Sequence, residues 1–356
     1  MKQPLIWIAS PAAAHNNNGN WQSARRWAQF LRTRYRVTIA ASWPEPALPP
    51  AARVSAGATP DLLIALHARR SAPALLAFAD ACPERPTILL LTGTDLYRDI
   101  RHDAMAQQAL ERAAVLVLLQ PAGLSELPPH LHAKTSVIYQ SAAMLRQAPP
   151  AAGAPVAAAR ASAAAPRSRR QPAICMIGHL RDEKDPLTFM RAAALVTAPS
   201  ARLLHIGGAL QPELGAAAEA TASATPRYHW LGPLPHAATR QRLKRAHAMV
   251  IASRMEGGAN VIIEAITSGV PVLASDISGN RGMLGDDYQG YFPLGDAAAL
   301  AQLIDRSISD PHWLAALKAQ CAVRAPLFAP EAEQAALLTL VDNLLHPTHN
   351  PARNTK

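Results

Sequence analysis

Ser253-Arg254-Met255-Glu256-Gly257-Gly258-Ala259-Asn260-Val261-Ile262-Ile263-Glu264-Ala265-Ile266-Thr267-Ser268-Gly269 is the stretch whose reading decides the fold. The apolar run Met249 to Ala252 before it reads as a buried strand. Val261 to Ser268 reads as a short helix, stopped by Gly269 and Pro271, and Val270 to Ala274 as the next strand. A glycine pair therefore sits where a strand turns into a helix. Free backbone N–H groups and the positive helix end favour an anion there, and glycine lets it come close. Glu256 lies in the loop and Glu264 one turn into the helix. Carboxylates accept charge-assisted hydrogen bonds from vicinal hydroxyls. An anion cradle between two such carboxylates suits a nucleotide sugar, with the diphosphate on the helix end and a sugar ring by each glutamate.

Glu256 and Glu264 have E-x7-E spacing, and Ala265-Ile266-Thr267-Ser268-Gly269-Val270-Pro271-Val272 follows as an A-x-x-x-G-x-P-V run. In context this resembles the retaining glycosyltransferases of family four, which have the GT-B fold: α/β, two Rossmann-like domains with parallel sheets facing a cleft. The resemblance implies that Glu256 contacts the donor hexose and Glu264 the ribose. The backbone amides of Gly258, Ala259, Asn260 and Val261 would hold phosphate, with Gly257 also donor-binding.

The chain has 356 residues, enough for two domains, and 49% of them are hydrophobic. Its formal net charge of +10 implies anionic partners such as nucleotides and phosphates. No tract interleaves basic and stacking aromatic residues, so nucleic acid is not an expected partner. Cys82, Cys175 and Cys321 are far apart, which fits neither a disulfide framework nor a metal site and suggests a reducing, cytoplasmic setting. The apolar run Leu5 to Ala9 is too short for a signal-peptide core and reads as a first strand. No run is long enough for a transmembrane span, so stable membrane insertion is not expected.

Strands are predicted at Leu5–Ala9, Val37–Ala41, Leu62–Leu66, Ile88–Leu91, Val115–Leu119 and Val137–Tyr139, with helices between them, notably Trp21–Arg34 and Ala104–Ala113. Such alternation indicates a parallel, doubly wound sheet whose ligands bind beyond the strand C-termini. Three loops there carry unusual residues. His15 to Asn20 is rich in amides, and Asn18, Gly19 and Asn20 stand where family-four enzymes have a glycine-rich loop; the plain alternative is a polar loop with Asn20 as N-cap. His67-Ala68-Arg69-Arg70-Ser71 could bind an anion or be a solvated arginine pair. Thr92-Gly93-Thr94-Asp95 resembles the family's H-G-T-D loop, with Thr92 in place of the histidine, which leaves no imidazole at that position. Tyr139-Gln140-Ser141 stands where relatives carry P-N-G.

Residues 1–143 form the expected acceptor domain, 144–171 a flexible Ala/Pro/Arg linker and 172–325 the nucleotide-sugar domain. Residues 326–345 would be a helix crossing back to the first domain, and 346–356 a disordered tail. In the second domain the strand Ala173–Ile177 leads into Gly178-His179-Leu180-Arg181-Asp182-Glu183-Lys184-Asp185, which resembles the family's G-R-L-x-x-x-K-G loop. Lys184, one of six lysines, matches the family lysine. Either His179, at the arginine position, or Arg181 would replace the family arginine. The resemblance thus implies Glu256, Lys184 and Arg181 as catalytic, Glu264 and His179 with the glycine loop as donor-binding, and Asn18, Gly19, Asn20, His67, Arg69, Arg70, Thr92, Gly93 and Asp95 as acceptor-binding. No metal is expected, because the chain lacks a D-x-D cluster.

The first-domain run Gly19 to Trp27, with His67–Ser71 and Thr92–Arg98, is similar to the selenosugar synthases of selenoneine biosynthesis. Those enzymes join selenophosphate to a sugar from a UDP donor such as UDP-N-acetylglucosamine. Two alternatives stay open: a family-four transferase acting on a hydroxyl acceptor in glycolipid or polysaccharide assembly, and a catalytically dead sugar-nucleotide sensor.

Overall fold

The computed structural model describes residues 3–11, 19–44, 59–144 and 171–347. The first sheet contains β1 (Leu5–Ala9), β2 (Arg36–Ala40), β3 (Leu62–Leu66), β4 (Thr87–Leu90), β5 (Val115–Leu118) and β6 (Thr135–Val137). It runs β2-β1-β3-β4-β5-β6 with every pair parallel. The second contains β7 (Ala173–Ile177), β8 (Arg202–Ile206), β9 (Tyr228–Trp230), β10 (Ala248–Ile251), β11 (Val272–Ser275) and β12 (Tyr291–Phe292), in the order β12-β11-β10-β7-β8-β9, again parallel. The central strands are apolar runs buried on both faces, as parallel strands covered by helices must be.

Both sheets reverse direction once. The first sheet passes from β1 out to β2 and returns to β3; the second passes from β7 out to β9 and returns to β10. The crevice at such a switch point is where open α/β sheets hold ligands. In the second domain it lies between the loops after β7 and β10, those of Lys184 and Glu256.

Element edges differ from the sequence reading where polar residues pair. β2 begins at Arg36 because its backbone registers with Leu5. β6 lies two residues earlier than predicted, since an edge strand can pair through polar Thr135 and Ser136. The first helix spans Gly19–Leu31 and buries Ser23, Ala24, Trp27, Ala28 and Leu31 on one face. Asn20 therefore lies inside the helix and does not cap it. Past Leu31, the exposed residues Arg32 to Arg34 turn the chain into β2. Residues 145–170 of the expected linker and 348–356 of the expected tail lie outside the described residues, as does Asn18.

The helix Pro330–Leu345 packs on the first domain, with Leu337, Leu338 and Val341 joining Trp27, Leu31, Ile6 and Ile8 in one core. A buried carboxylate fixes it. Glu333, 1% exposed, accepts from Arg26 Nε at 2.7 Å, Trp27 Nε1 at 2.8 Å, Ser141 N at 2.8 Å and Ser141 Oγ at 2.5 Å. Four donors replace the water this carboxylate has lost. Glu333→Ala strands Arg26 and the indole N–H, and is predicted to cost about 3–5 kcal/mol, the range for removing one partner of a buried pair. Chemical denaturation checks this; a loss below about 1 kcal/mol would mean the network adds little.

Candidate active site

Between the domains lies a cleft of about 600 Å³. The second domain supplies one wall. After β7 a 3-10 turn, Asp182–Lys184, lifts Lys184 into the cleft and ends on Asp185, a non-glycine residue at φ 44°. Aspartate tolerates this left-handed conformation better than most residues. The Asp185 carboxylate accepts from Thr188 Oγ1 at 2.9 Å and faces Arg254 Nη2 at 3.3 Å. The loops after β7 and β10 are further joined by Arg254 N to Glu183 O at 2.9 Å. Lys184 Nζ forms an ion pair with Glu256 Oε1, which also accepts from Ser253 Oγ at 2.6 Å. The cation and carboxylate that the sequence assigned to a donor thus meet each other in the cleft.

The glycines of the β10 loop have a purpose the sequence did not reveal. A Cβ on Gly257 would stand 2.5 Å from Thr92 O, and one on Gly258 would stand 2.6 Å from Leu119 Cβ. Both glycines let the second domain press directly on the first. The helix Asn260–Ile266 opens into the cleft from this junction and ends at Gly269, φ 72°.

His179 and Arg181 both line the cleft. His179 Nδ1 accepts from Gly208 N at 3.1 Å, which leaves Nε2 as the N–H donor. Arg181 lies 3.9 Å from Glu183. Glu264 does not line the cleft; it is turned to His236, whose Nε2 is 2.7 Å from Glu264 Oε1. That hydrogen bond holds the His236 imidazole above its ordinary pKa. His236 opens the helix His236–Lys244 and was not among the expected site residues; its partner is 28 residues away.

The opposite wall brings together Gly19, Asn20, His67, Arg70, Thr92 and Gly93 from three loops of the first sheet. Two expected members stand apart. Asp95 is fully buried and accepts from Ala68 N at 2.8 Å, Thr92 N at 2.9 Å and Gly93 N at 2.8 Å, so it staples two loops and touches no ligand space. Arg69 faces Asp99 at 3.2 Å, outside the cleft lining. Thr92 carries no imidazole, and His67 lines the same wall. It sits at φ 76°, 2% exposed, with Nε2 3.2 Å from Thr94 Oγ1. Burial lowers its pKa; Asp95 and Asp99 oppose the shift, and Arg70 and Arg69 reinforce it. Arg98, from the first domain, reaches Glu183 of the second at 3.5 Å and lines the cleft with it.

A family model described as glycosyl transferases group 1 matches residues 160–325. That match spans most of the second domain. The chain is 31% identical over 116 residues to the D-inositol 3-phosphate glycosyltransferase of Frankia alni, a match covering 32% of this chain and 28% of that protein. Among solved structures it is similar to Anabaena Alr3699/HepE in complex with UDP and glucose, with TM-score 0.73, 17% identity and coverage of 96% of this chain and 100% of that one. It is also similar to the sucrose-phosphate synthase of Thermosynechococcus elongatus, with TM-score 0.70, 18% identity and coverage of 98% and 100%. These structural likenesses establish the fold: two parallel-sheet Rossmann-like domains in the GT-B arrangement. No described helix is long and apolar enough to cross a membrane.

Two outcomes follow for the second domain. Gly257→Ala puts a methyl group against the Thr92 carbonyl, and is predicted to destabilise the protein by about 1–3 kcal/mol through overpacking. Denaturation measures this; an unchanged midpoint would show that the junction has slack. His236 is predicted to titrate above about 6.5 in nuclear magnetic resonance and to fall back toward it in Glu264→Gln. Sign matters here: the pair stabilises the fold fully below pH about 6.5 and ceases to as pH rises through the raised value.

Proposed function

We propose that this chain is a glycosyltransferase that moves a sugar, N-acetylglucosamine first among candidates, from a UDP donor to selenophosphate. The observation that carries the reading is the two-walled cationic cleft. Lys184 and the amides opening at Asn260 stand on one wall, and Arg70 stands on the other. The donor diphosphate would lie on the helix end and draw Lys184 away from Glu256, freeing that carboxylate for hexose hydroxyls. Glu264, with His236, would meet the ribose.

Selenium attacks the anomeric carbon, a C–Se bond forms, and the bond from that carbon to the β-phosphate oxygen breaks, releasing UDP. Water then cleaves Se–P, giving a selenosugar and phosphate. Selenophosphate is already anionic and nucleophilic, so the first step needs positioning and charge neutralisation more than a base. Lys184 and the helix end supply the counter-charge to the leaving UDP, so no metal is assigned; activity abolished by EDTA and restored by magnesium would overturn that part. Names of similar proteins support the halves of this reading. One solved structure holds UDP and glucose, and the Frankia alni enzyme is named for a phosphorylated acceptor.

The second reading is transfer to a hydroxyl acceptor in glycolipid or polysaccharide assembly. His67 favours it, because it places an imidazole in the first-domain wall beside the Thr94 hydroxyl. Incubating the protein with several UDP-sugars, with and without selenophosphate, and reading products by mass spectrometry decides between them. A selenium-containing sugar is the predicted product; transfer to a hydroxyl with selenophosphate ignored would leave the second reading. Arg70→Ala is predicted to raise KM for selenophosphate at least tenfold, because a charge-assisted contact contributes about 1.5–3 kcal/mol. UDP affinity, read by calorimetry, should stay nearly intact.

A further inference from the structure

The helix Asn260–Ile266 buries Ile262, Ile263, Ala265 and Ile266 in the second-domain core. The positions left partly open are Asn260, Val261 and Glu264. Asn260 and Val261 line the cleft. Glu264 stands one turn further along the same face, since residues three and four apart are neighbours on a helix. Its carboxylate therefore lies just behind the lining, with the side chain 12% exposed. His236 meets it there from a second element. The segment leading to His236 runs past the same wall: a Cβ on Gly208 would be 3.6 Å from Nδ1 of the cleft residue His179 and 3.7 Å from Pro233 Cβ. The chain then opens the helix His236–Lys244, which brings His236 Nε2 to 2.7 Å from Glu264 Oε1.

A carboxylate oxygen only accepts, so Nε2 of His236 carries the proton of this bond. The contact occupies Oε1 alone. Among the described residues Glu264 Oε2 makes no hydrogen bond, and it keeps access to solvent. A glutamate side chain is rich in rotamers, and freezing it is one of the larger side-chain entropy costs. His236 meets that cost before a ligand arrives, which is what preorganisation means for a binding group. The imidazole is not there for packing, because its side chain is 60% exposed. We propose that His236 is a positioning residue for donor recognition: it fixes Glu264 through Oε1 so that Oε2 accepts from the ribose hydroxyls of the nucleotide. This rests on the reading of Glu264 as the ribose contact. It adds that a residue which does not itself touch the donor holds that contact in advance, and that recognition of the ribose diol is what depends on it.

Binding of two nucleotides reads this out. UDP and 2′,3′-dideoxyuridine diphosphate, which lacks the diol, are titrated calorimetrically into the full chain. The wild type is expected to bind UDP about tenfold more tightly or better, the discrimination one charge-assisted hydrogen bond supplies. His236→Ala should lose about five- to tenfold in UDP affinity and nothing for the dideoxy analogue, because only the diol uses Glu264. His236→Gln, which retains an N–H donor, should recover most of that loss. In a Glu264→Ala background, His236→Ala should change neither affinity. Equal losses for both nucleotides in His236→Ala would mark a merely structural role and overturn the proposal. An unchanged UDP affinity overturns it too, as does a tighter one, which would show the imidazole competing with the ribose. The ribose reading fails separately, and takes the proposal with it, if the wild type does not distinguish the nucleotides or Glu264→Ala still does. If those two proteins behave as expected and His236→Ala keeps the full preference for UDP, the ribose reading stands and the role of His236 falls.

Discussion

Glycine lets the domains join closely, and the site depends on that contact. Gly257 lies under the Thr92 carbonyl, Gly258 against the Leu119 side chain, and Gly282 of the helix Ser278–Leu284 against the Gln120 side chain. A side chain at Gly257 would meet backbone and hold the domains apart. Because none is present, the loop after β10 belongs to both domains. Its helix end faces the first-domain wall closely: a Cβ on Gly19 would be only 3.8 Å from Asn260 Nδ2. On the proposed reading, walls this close would bring two reacting anions together, which is the entropic part of catalysing a transfer between them.

Charge arranges the rest. Charged groups lining the cleft pair with one another, Lys184 with Glu256 and Arg98 with Glu183, and Glu264 outside the lining pairs with His236. Each pair lining the cleft is one that a phosphate or a sugar hydroxyl can replace, so binding exchanges partners and need not bury a bare charge. The groups that never exchange lie one layer deeper. Asp95 staples the His67 and Thr92 loops, Asp185 ties the Lys184 loop to Arg254, and Glu333 anchors the last helix beneath Arg26. Their neighbours in the cleft are thereby held ready without taking part themselves.

What the sequence made legible follows from this layering. Glu256, Lys184, His67 and Arg70 are charged residues just past apolar strands, and in a doubly wound sheet that position alone sends them to the cleft. Asp95 and Arg69 occupy the same kind of position yet turn away, because Asp95 has three backbone donors to satisfy and Arg69 has Asp99. Such choices depend on partners that local sequence does not display. His236 and Glu264 are 28 residues apart, and Lys184 and Glu256 are 72 apart. Gln140 stood out only as a departure from a familiar turn; its bond to Ser23, 117 residues away, is not visible in the local sequence. The β6 edges were misjudged for a simpler reason, since apolar runs mark buried faces and edge strands pair through polar backbone.

The central claim is that the Lys184 wall of the cleft holds a nucleoside diphosphate. Calorimetric titration of UDP and of uridine into the wild type and Lys184→Ala tests it directly, since only UDP carries the phosphates. The account predicts that the wild type prefers UDP, and that Lys184→Ala loses about 1.5–3 kcal/mol of UDP affinity, the worth of a charge-assisted contact, with uridine binding unchanged. Equal UDP affinity in the two proteins, or a wild type that does not distinguish UDP from uridine, would contradict it.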